Sequence, residues 1–176
     1  QNFVGDPNTV RRIARLANVG PDDHVIEIGA GLGSLTLALA ETGATVRAVE
    51  VDRGVVPVLR TVVQDCPNVT VIEGDAMQLD WAEVLAGHDR WVLVANLPYN
   101  VATPLVLDLL DEVPAIARML VMVQREVAER FCAAPRTPAY GAVTVKIAYW
   151  ATARIAGLVP ASVFVPKPNV ESALAE

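Results

Sequence analysis

The chain has 176 residues, 53% of them hydrophobic and 5% aromatic, with a formal charge of −6. A domain of this size buries roughly 70% of its unfolded surface, so it needs neither disulfides nor a metal to hold a core. The acidic balance weighs against a generic nucleic-acid binder, which would be basic, and no apolar run reaches the ~18 residues of a membrane span.

Asp6 and Pro7 open a first helix, the acid as N-cap and the proline at the first helical position. Val10, Ile13, Ala14 and Ala17 recur at helical spacing with Arg11, Arg12 and Arg15 between them, until Val19-Gly20-Pro21-Asp22-Asp23 stops the helix. Residues 24–28 read as a buried strand, 29–33 as a glycine loop and 34–41 as a helix. Further strands are predicted over 45–49, 69–73, 91–95 and 119–123. Helices are predicted over 54–64, interrupted near its start by Pro57, and over 81–85, 104–111 and 126–133. This alternation predicts an open α/β sheet, mostly parallel, with right-handed crossovers. No repeat, low-complexity tract or linker divides the chain. Residues 142–150 are ambiguous: Val143, Val145, Ile147 and Tyr149 alternate as in a strand, while Lys146 and Tyr149 also fit one side of a helix.

Cys66 and Cys132 lack C-x-x-C spacing and histidine neighbours, so no metal or redox site is expected. As two reduced thiols they suit a cytoplasmic protein. His24 and His88 sit beside Asp23 and Asp89 in polar, turn-like stretches and read as solvated.

Glu27-Ile28-Gly29-Ala30-Gly31-Leu32-Gly33 lies between a strand and a helix. Glycines there allow a sharp turn and the close approach of a ligand to main-chain atoms. The dinucleotide fingerprint G-x-G-x-x-G fails, because Ser34 stands at its last position. G-x-G-x-G spacing favours a nucleoside without a pyrophosphate. Glu50 ends the next strand, where an acid can accept both ribose hydroxyls. Asp75 ends the third and could accept from an adenine amino group. Two acids at one crevice favour a cationic cofactor, so S-adenosylmethionine, with its sulfonium, matches better than NAD.

Asn96-Leu97-Pro98-Tyr99 closes the fourth strand. The amino group of adenine is a poor nucleophile, because its lone pair is delocalised into the ring. A site that accepts both N–H bonds leaves that pair free to face a methyl donor. The Asn96 side-chain carbonyl and the Leu97 main-chain carbonyl can do this, and Pro98 has no N–H to compete. Tyr99 offers a ring on which the base can stack, worth roughly 1–3 kcal/mol.

Taken together, several stretches resemble the ribosomal RNA adenine dimethyltransferases. These are Gln1-Asn2-Phe3-Val4, the glycine loop, Val49-Glu50-Val51-Asp52, Gly74-Asp75-Ala76-Met77, Asn96-Leu97-Pro98-Tyr99-Asn100 and Phe164-Val165-Pro166-Lys167-Pro168-Asn169-Val170-Glu171-Ser172-Ala173. The likeness runs the length of the chain and is strongest to the housekeeping small-subunit enzymes. It implies a class I S-adenosylmethionine-dependent methyltransferase fold, Rossmann-like, with a seven-stranded, mostly parallel sheet whose last strand is truncated at Glu176. It also implies dimethylation of N6 of two adjacent adenines near the 3′ end of 16S-type small-subunit rRNA, with S-adenosyl-L-homocysteine as by-product. The implied partner is that rRNA or an assembling small subunit, and the implied setting is a cytoplasmic monomer without membrane association.

By matching positions, Asn2 and Val4 would touch the cofactor, Gly29 would line its methionine part, Glu50 would hold the ribose and Asp75 the adenine. Gly31 and Ala76 complete that set, and Asn96 would border both cofactor and target. Asn96, Leu97, Pro98, Tyr99 and Phe164 form the implied catalytic group, with Phe164 facing Tyr99 across a target base flipped from its stack. Leu97 stands where many relatives that add one methyl have proline. The likeness further implies a helix near 140–149 and a strand near 154–159, and this is the expectation adopted over the alternation.

The family also has a basic stretch before Gln-Asn-Phe and a small helical domain after the catalytic one. The chain, which opens on Gln1, therefore reads as a fragment, a methyltransferase domain over 1–176, with much of the RNA contact elsewhere. Arg125, Arg130, Arg136 and Lys167 are candidate phosphate contacts. Three rival readings are a large-subunit enzyme of the macrolide-resistance type, a non-enzymatic ribosome-assembly or transcription factor, and a nicotinamide oxidoreductase, the last disfavoured by Ser34.

Overall fold

Strands with apolar residues on both faces require helices on both sides of the sheet. The computed structural model, which describes residues 3–176, has this arrangement. In chain order the elements are β1 (Phe3–Val4), α1 (Pro7–Ala17), β2 (His24–Ile28), α2 (Ser34–Ala40), β3 (Thr45–Glu50), α3 (Val56–Val62) and β4 (Val69–Glu73). Next come α4 (Trp81–Val84), β5 (Trp91–Asn96), α5 (Ala102–Glu112), β6 (Ile116–Gln124), α6 (Arg125–Phe131) and α7 (Ala142–Trp150). The chain finishes with β7 (Ile155–Val159), a short 3-10 turn, β8 (Phe164–Val165) and β9 (Ser172–Ala175).

The main sheet has seven strands in the order β4-β3-β2-β5-β6-β9-β7. Neighbours pair in parallel except at β9, which runs antiparallel to both β6 and β7. A separate antiparallel pair, β1 with β8, matches Phe3 to Val165 and Val4 to Phe164. Period-two alternation divides the core. Val25, Val92 and Val94 pack with α1 and α2, while Ile26, Ile28, Leu93 and Ala95 pack with α5 and α6.

The helix starts follow local chemistry. Asp6 accepts from the Thr9 N–H at 2.8 Å and from its hydroxyl at 2.6 Å, and these bonds hold the Asp6 carboxyl below its usual pKa. Pro57 does not interrupt α3. It lies in the first turn, where its missing N–H costs nothing.

Residues 142–150 are helical, which sets aside the strand reading and agrees with the resemblance. Alternation misled because only Thr144 and Ile147, three apart, are buried, whereas Val145 and Tyr149 stand in solvent. The Thr144 hydroxyl donates to the Arg130 carbonyl at 2.6 Å and pins the helix to α6. His24 is half-buried and departs from the solvated reading, whereas His88 is exposed as expected. Their rings stack at 3.4 Å and meet Trp91 edge-on, at the end of the sheet opposite the cavity described below. The His24 pKa falls below its ordinary value, first through burial and then through the neighbouring His88 and Arg47.

Candidate functional site

The carboxyl ends of β2, β3 and β5, with the turn after β4, open into one cavity of about 700 Å³. The β1–β8 pair forms its remaining wall. Ligands of open α/β sheets bind at this end. Val4, Gly29, Gly31, Glu50, Asp75, Ala76, Asn96, Leu97, Pro98, Tyr99 and Phe164 all line it. Of the residues expected at the site, Asn2 alone lies outside the described residues.

Glycine is required where β2 turns toward α2. Gly29 has φ +78°, and a Cβ there would fall 2.7 Å from the main-chain oxygen of Asn96. The glycine loop and the Asn96–Leu97 corner are therefore in contact. Gly31 has φ +56°, and its Cβ would press on the Phe3 ring at 2.9 Å, so β1 lies directly over the loop. Gly29 and Ala30 both donate to the Val49 carbonyl, at 3.0 and 3.2 Å, which ties the loop to β3.

Glu50 is 1% exposed. Its Oε2 accepts from Gly31 N at 2.8 Å and its Oε1 from Asp52 N at 2.9 Å. Two main-chain donors fix the carboxylate, and each oxygen keeps lone pairs for ligand hydroxyls. Asp75 is exposed and accepts from Met77 N at 3.0 Å.

A third acid, Glu27, was not singled out as a site residue from sequence. It lies on the α2 side of β2, is 1% exposed, and its Oε2 accepts from the Thr36 hydroxyl at 2.6 Å. Burial pushes its carboxyl up to about 7; the Thr36 bond opposes that shift and the charge of Glu50 adds to it. The signal was present in Ile26-Glu27-Ile28, since an acid inside a buried strand needs a partner or a ligand. Among the described residues that line the cavity there are three carboxylates and no Lys, Arg or His. Such a field favours a cation and repels a pyrophosphate.

On the opposite wall Asn96 ends β5, half-buried. Leu97 is 2% exposed, packed in the core, and its N–H donates to the Met122 carbonyl at 3.1 Å. The Pro98 carbonyl accepts from Val101 N and Ala102 N, starting α5, and the Leu97 carbonyl accepts from no described residue. Pro98, Tyr99 and Asn100 are exposed, Tyr99 by 39%. Phe164 reaches the same cavity but is only 4% exposed, packed among Val4 and the residues of α1.

None of Arg125, Arg130, Arg136 and Lys167 lines the cavity. Arg125 is already engaged, at 2.8 Å by Glu129 and 3.1 Å by Glu171, and the two bonds raise its pKa further. It ties α6 to the segment before β9. No helix among the described residues is long and apolar enough to cross a membrane.

A family model described as ribosomal RNA adenine dimethylase matches residues 1–176. A ribosomal RNA small subunit methyltransferase A from Bifidobacterium adolescentis is 48% identical over 181 residues, covering 99% of the chain and 60% of that relative. The chain thus spans about three fifths of the length of such curated relatives. A dimethyladenosine transferase from Plasmodium falciparum superposes with a TM-score of 0.87 at 27% identity, over 98% of this chain and 62% of that one. The 23S rRNA methyltransferase ErmE superposes with a TM-score of 0.82 at 28% identity, over 98% and 68%. The fold is accordingly that of the class I methyltransferases, as expected from the sequence.

Proposed function

Because the chain belongs to the ribosomal RNA adenine dimethylase family, we propose that it is the catalytic domain of an enzyme that dimethylates N6 of adenines in small-subunit rRNA, using S-adenosylmethionine. The observation that supports this most is the contact between Gly29 and the Asn96 carbonyl, which joins the donor side of the cavity to the acceptor side. The cavity suits the cofactor on its own chemistry. Its glycine cradle leaves room beside the main chain, and three carboxylates line it.

In this reading Glu50 accepts the ribose hydroxyls, Asp75 accepts from the adenine amino group, and Val4, Gly29, Gly31 and Ala76 shape the walls between them. The bound cofactor supplies an electrophilic methyl group on a sulfonium. Asn96 and the Leu97 carbonyl take the two N–H bonds of the target amine and leave its lone pair in line for attack. Among the described residues the Leu97 carbonyl has no competing donor, and the Leu97 N–H donates to the Met122 carbonyl, so the corner is set before substrate arrives. Tyr99 stacks on the base, and Phe164 backs the opposite side. The methylated ammonium is acidic and loses its proton without a dedicated base.

The substrate is small-subunit rRNA or an assembling small subunit, met in the cytoplasm by a monomer. Identities of 48–49% to small-subunit methyltransferases, against 28% to the 23S rRNA methyltransferase, favour that substrate over the large subunit. The test is methylation of 30S-type against 50S-type particles by the full-length protein, with the nucleosides resolved by mass spectrometry. Dimethyladenosine in the 30S-type rRNA is the expected result. Modification confined to 50S-type rRNA, or binding to ribosomal particles without uptake of S-adenosylmethionine, would overturn it.

A further inference from the structure

The net charge of −6 is unevenly spread over the molecule. Helix α1 carries Arg11, Arg12 and Arg15 and no acid within its span, with only the capping Asp6 before it. Its buried face is Val10, Ile13, Ala14 and Ala17. On the opposite face Asn8, Arg11 and Arg15, at i, i+3 and i+7, form one exposed row. Arg12 is engaged elsewhere: its Nη1 donates to the Leu158 carbonyl of β7 at 2.9 Å, and a Cβ at Gly157 would strike its guanidinium. Arg11 and Arg15 have no such anchor. The ion pairs among the described residues are all made by Arg53, Arg118, Arg125 and Arg154.

We propose that Arg11 and Arg15, with Asn8 at the head of the row, form a phosphate-binding ridge that holds the RNA strand leading away from the target adenine. The inference rests on reading the chain as an rRNA methyltransferase. It adds to that reading a second surface, outside the cavity, that touches the RNA backbone and no base.

The row begins at the rim of the cavity. Val4 and Gly5 line it, and α1 starts at Pro7. At the helical rise of about 1.5 Å per residue, Arg11 lies about 6 Å and Arg15 about 12 Å along the axis from that start. A strand with one base in the cavity carries its neighbouring phosphates over this distance. The charge pattern points to an anion as well. Like charges four residues apart repel and weaken a helix. Acids outnumber bases in this chain, yet none pairs with Arg11 or Arg15. The helix dipole accounts for Arg15 in the last turn but not for Arg11 in the middle. The adjoining helix α2 holds no charged residue, so nothing on it offsets the field. A phosphate chain laid along the row removes the repulsion, and each guanidinium can grip phosphate oxygens through two parallel N–H bonds. Such contacts position a strand without reading its sequence, so the ridge orients the RNA while the cavity selects the adenine.

The test is the salt dependence of binding by the full-length protein, to protein-free small-subunit rRNA and to 30S-type particles. Arg11→Gln with Arg15→Gln should weaken binding to both. It should also lower the slope of log K against log salt by roughly 1.4–1.8, the contribution of two phosphate contacts. The deficit then shrinks roughly tenfold between about 50 and 200 mM salt. Each single variant should show about half the change in slope. Arg11→Lys with Arg15→Lys should keep the slope, because lysine still neutralises a phosphate. Arg60→Gln with Arg90→Gln removes equal charge from two other exposed arginines and should leave the slope unchanged. In methylation of 30S-type particles the Arg11 and Arg15 glutamine pair should raise KM and leave kcat within about twofold. Its affinity for S-adenosyl-L-homocysteine should equal that of wild type, a readout that any disturbance of the fold or cavity would move. An unchanged slope in that pair, or an equal fall in the Arg60 and Arg90 control, overturns the proposal. So does a loss confined to particles, which assigns the face to a ribosomal protein instead. All of these outcomes leave the methyltransferase reading standing, whereas a wild-type protein that binds neither the rRNA nor S-adenosylmethionine sinks both.

Discussion

The half of the cavity under the glycine loop is buried and hydrogen-bonded, whereas the half around Pro98, Tyr99 and Asn100 stands open. Glu27 and Glu50 are each 1% exposed, and loop, β3 and β1 are tied through Gly31, Val49 and Phe3. On the other side Tyr99 is 39% exposed, and Leu97, sunk in the core and bonded to Met122, anchors the corner. A buried, pre-shaped half suits a small ligand of constant form. An open half suits a base delivered by a macromolecule that brings its own structure. The two halves touch at Gly29 and Asn96, so a change there should separate binding from chemistry.

Asn96→Ala should show the largest effect. It leaves the main-chain contact with Gly29 in place and removes the acceptor proposed for one target N–H. Turnover should fall about 100-fold or more while the dissociation constant of S-adenosylmethionine changes less than about threefold. Single-turnover kinetics and calorimetry check this, and equal losses in both would contradict the role given to Asn96.

Gly29→Ala attacks the contact itself. A methyl 2.7 Å from the Asn96 oxygen, on a residue at φ +78°, must part the two walls. The variant should lose about 2 kcal/mol or more in urea unfolding, and cofactor affinity with it. Wild-type stability would show that the walls are not in contact.

Glu27 gives the buried half a pH signature. Its folded pKa of about 7 lies above the ordinary value of 4.5, so between those limits the folded protein binds more protons than the unfolded chain. The stabilisation this confers is full below about pH 4.5 and is lost as pH rises through about 7, roughly 2–4 kcal/mol in all. Unfolding curves of wild type against Glu27→Gln isolate it; parallel pH profiles would remove Glu27 as the source.

In the open half, Tyr99→Ala should weaken RNA association by roughly 1–3 kcal/mol and leave the melting temperature unchanged, since the ring carries little core packing. Leu97→Pro should cost about 2 kcal/mol or more, through the lost bond to Met122 and the lost core packing. On the proposed reading it should also stop the reaction at monomethyladenosine, and an undiminished dimethyl product would discard the link between Leu97 and the second methyl transfer.

Much of this architecture is written locally. Asp6 and Pro7 start α1, aliphatic runs mark β2 to β6, and Gly29 to Gly33 sit where β2 must turn, so periodicity and turn chemistry suffice for the β-α order. The strand ends Glu50 and Asn96, and the turn after β4 that holds Asp75, follow from that order, because a parallel sheet points all its carboxyl ends one way. Residues 142–150 show the limit. Their alternating pattern fits a strand, but a helix forms because Thr144 and Ile147 find α6 and α5 while Val145 and Tyr149 need no partner.

By itself the sequence determined the element order, the glycine turn and the residues of the Asn96–Tyr99 corner, since each depends on neighbours a few positions away. Only the tertiary structure decided that a Cβ at Gly29 would strike the Asn96 carbonyl, that His24 stacks on His88, that Phe164 is buried, and that Glu27 shares one cavity with Glu50 and Asp75. These depend on burial and on charges brought together from distant positions, and neither is a property of any stretch of chain until the sheet has formed.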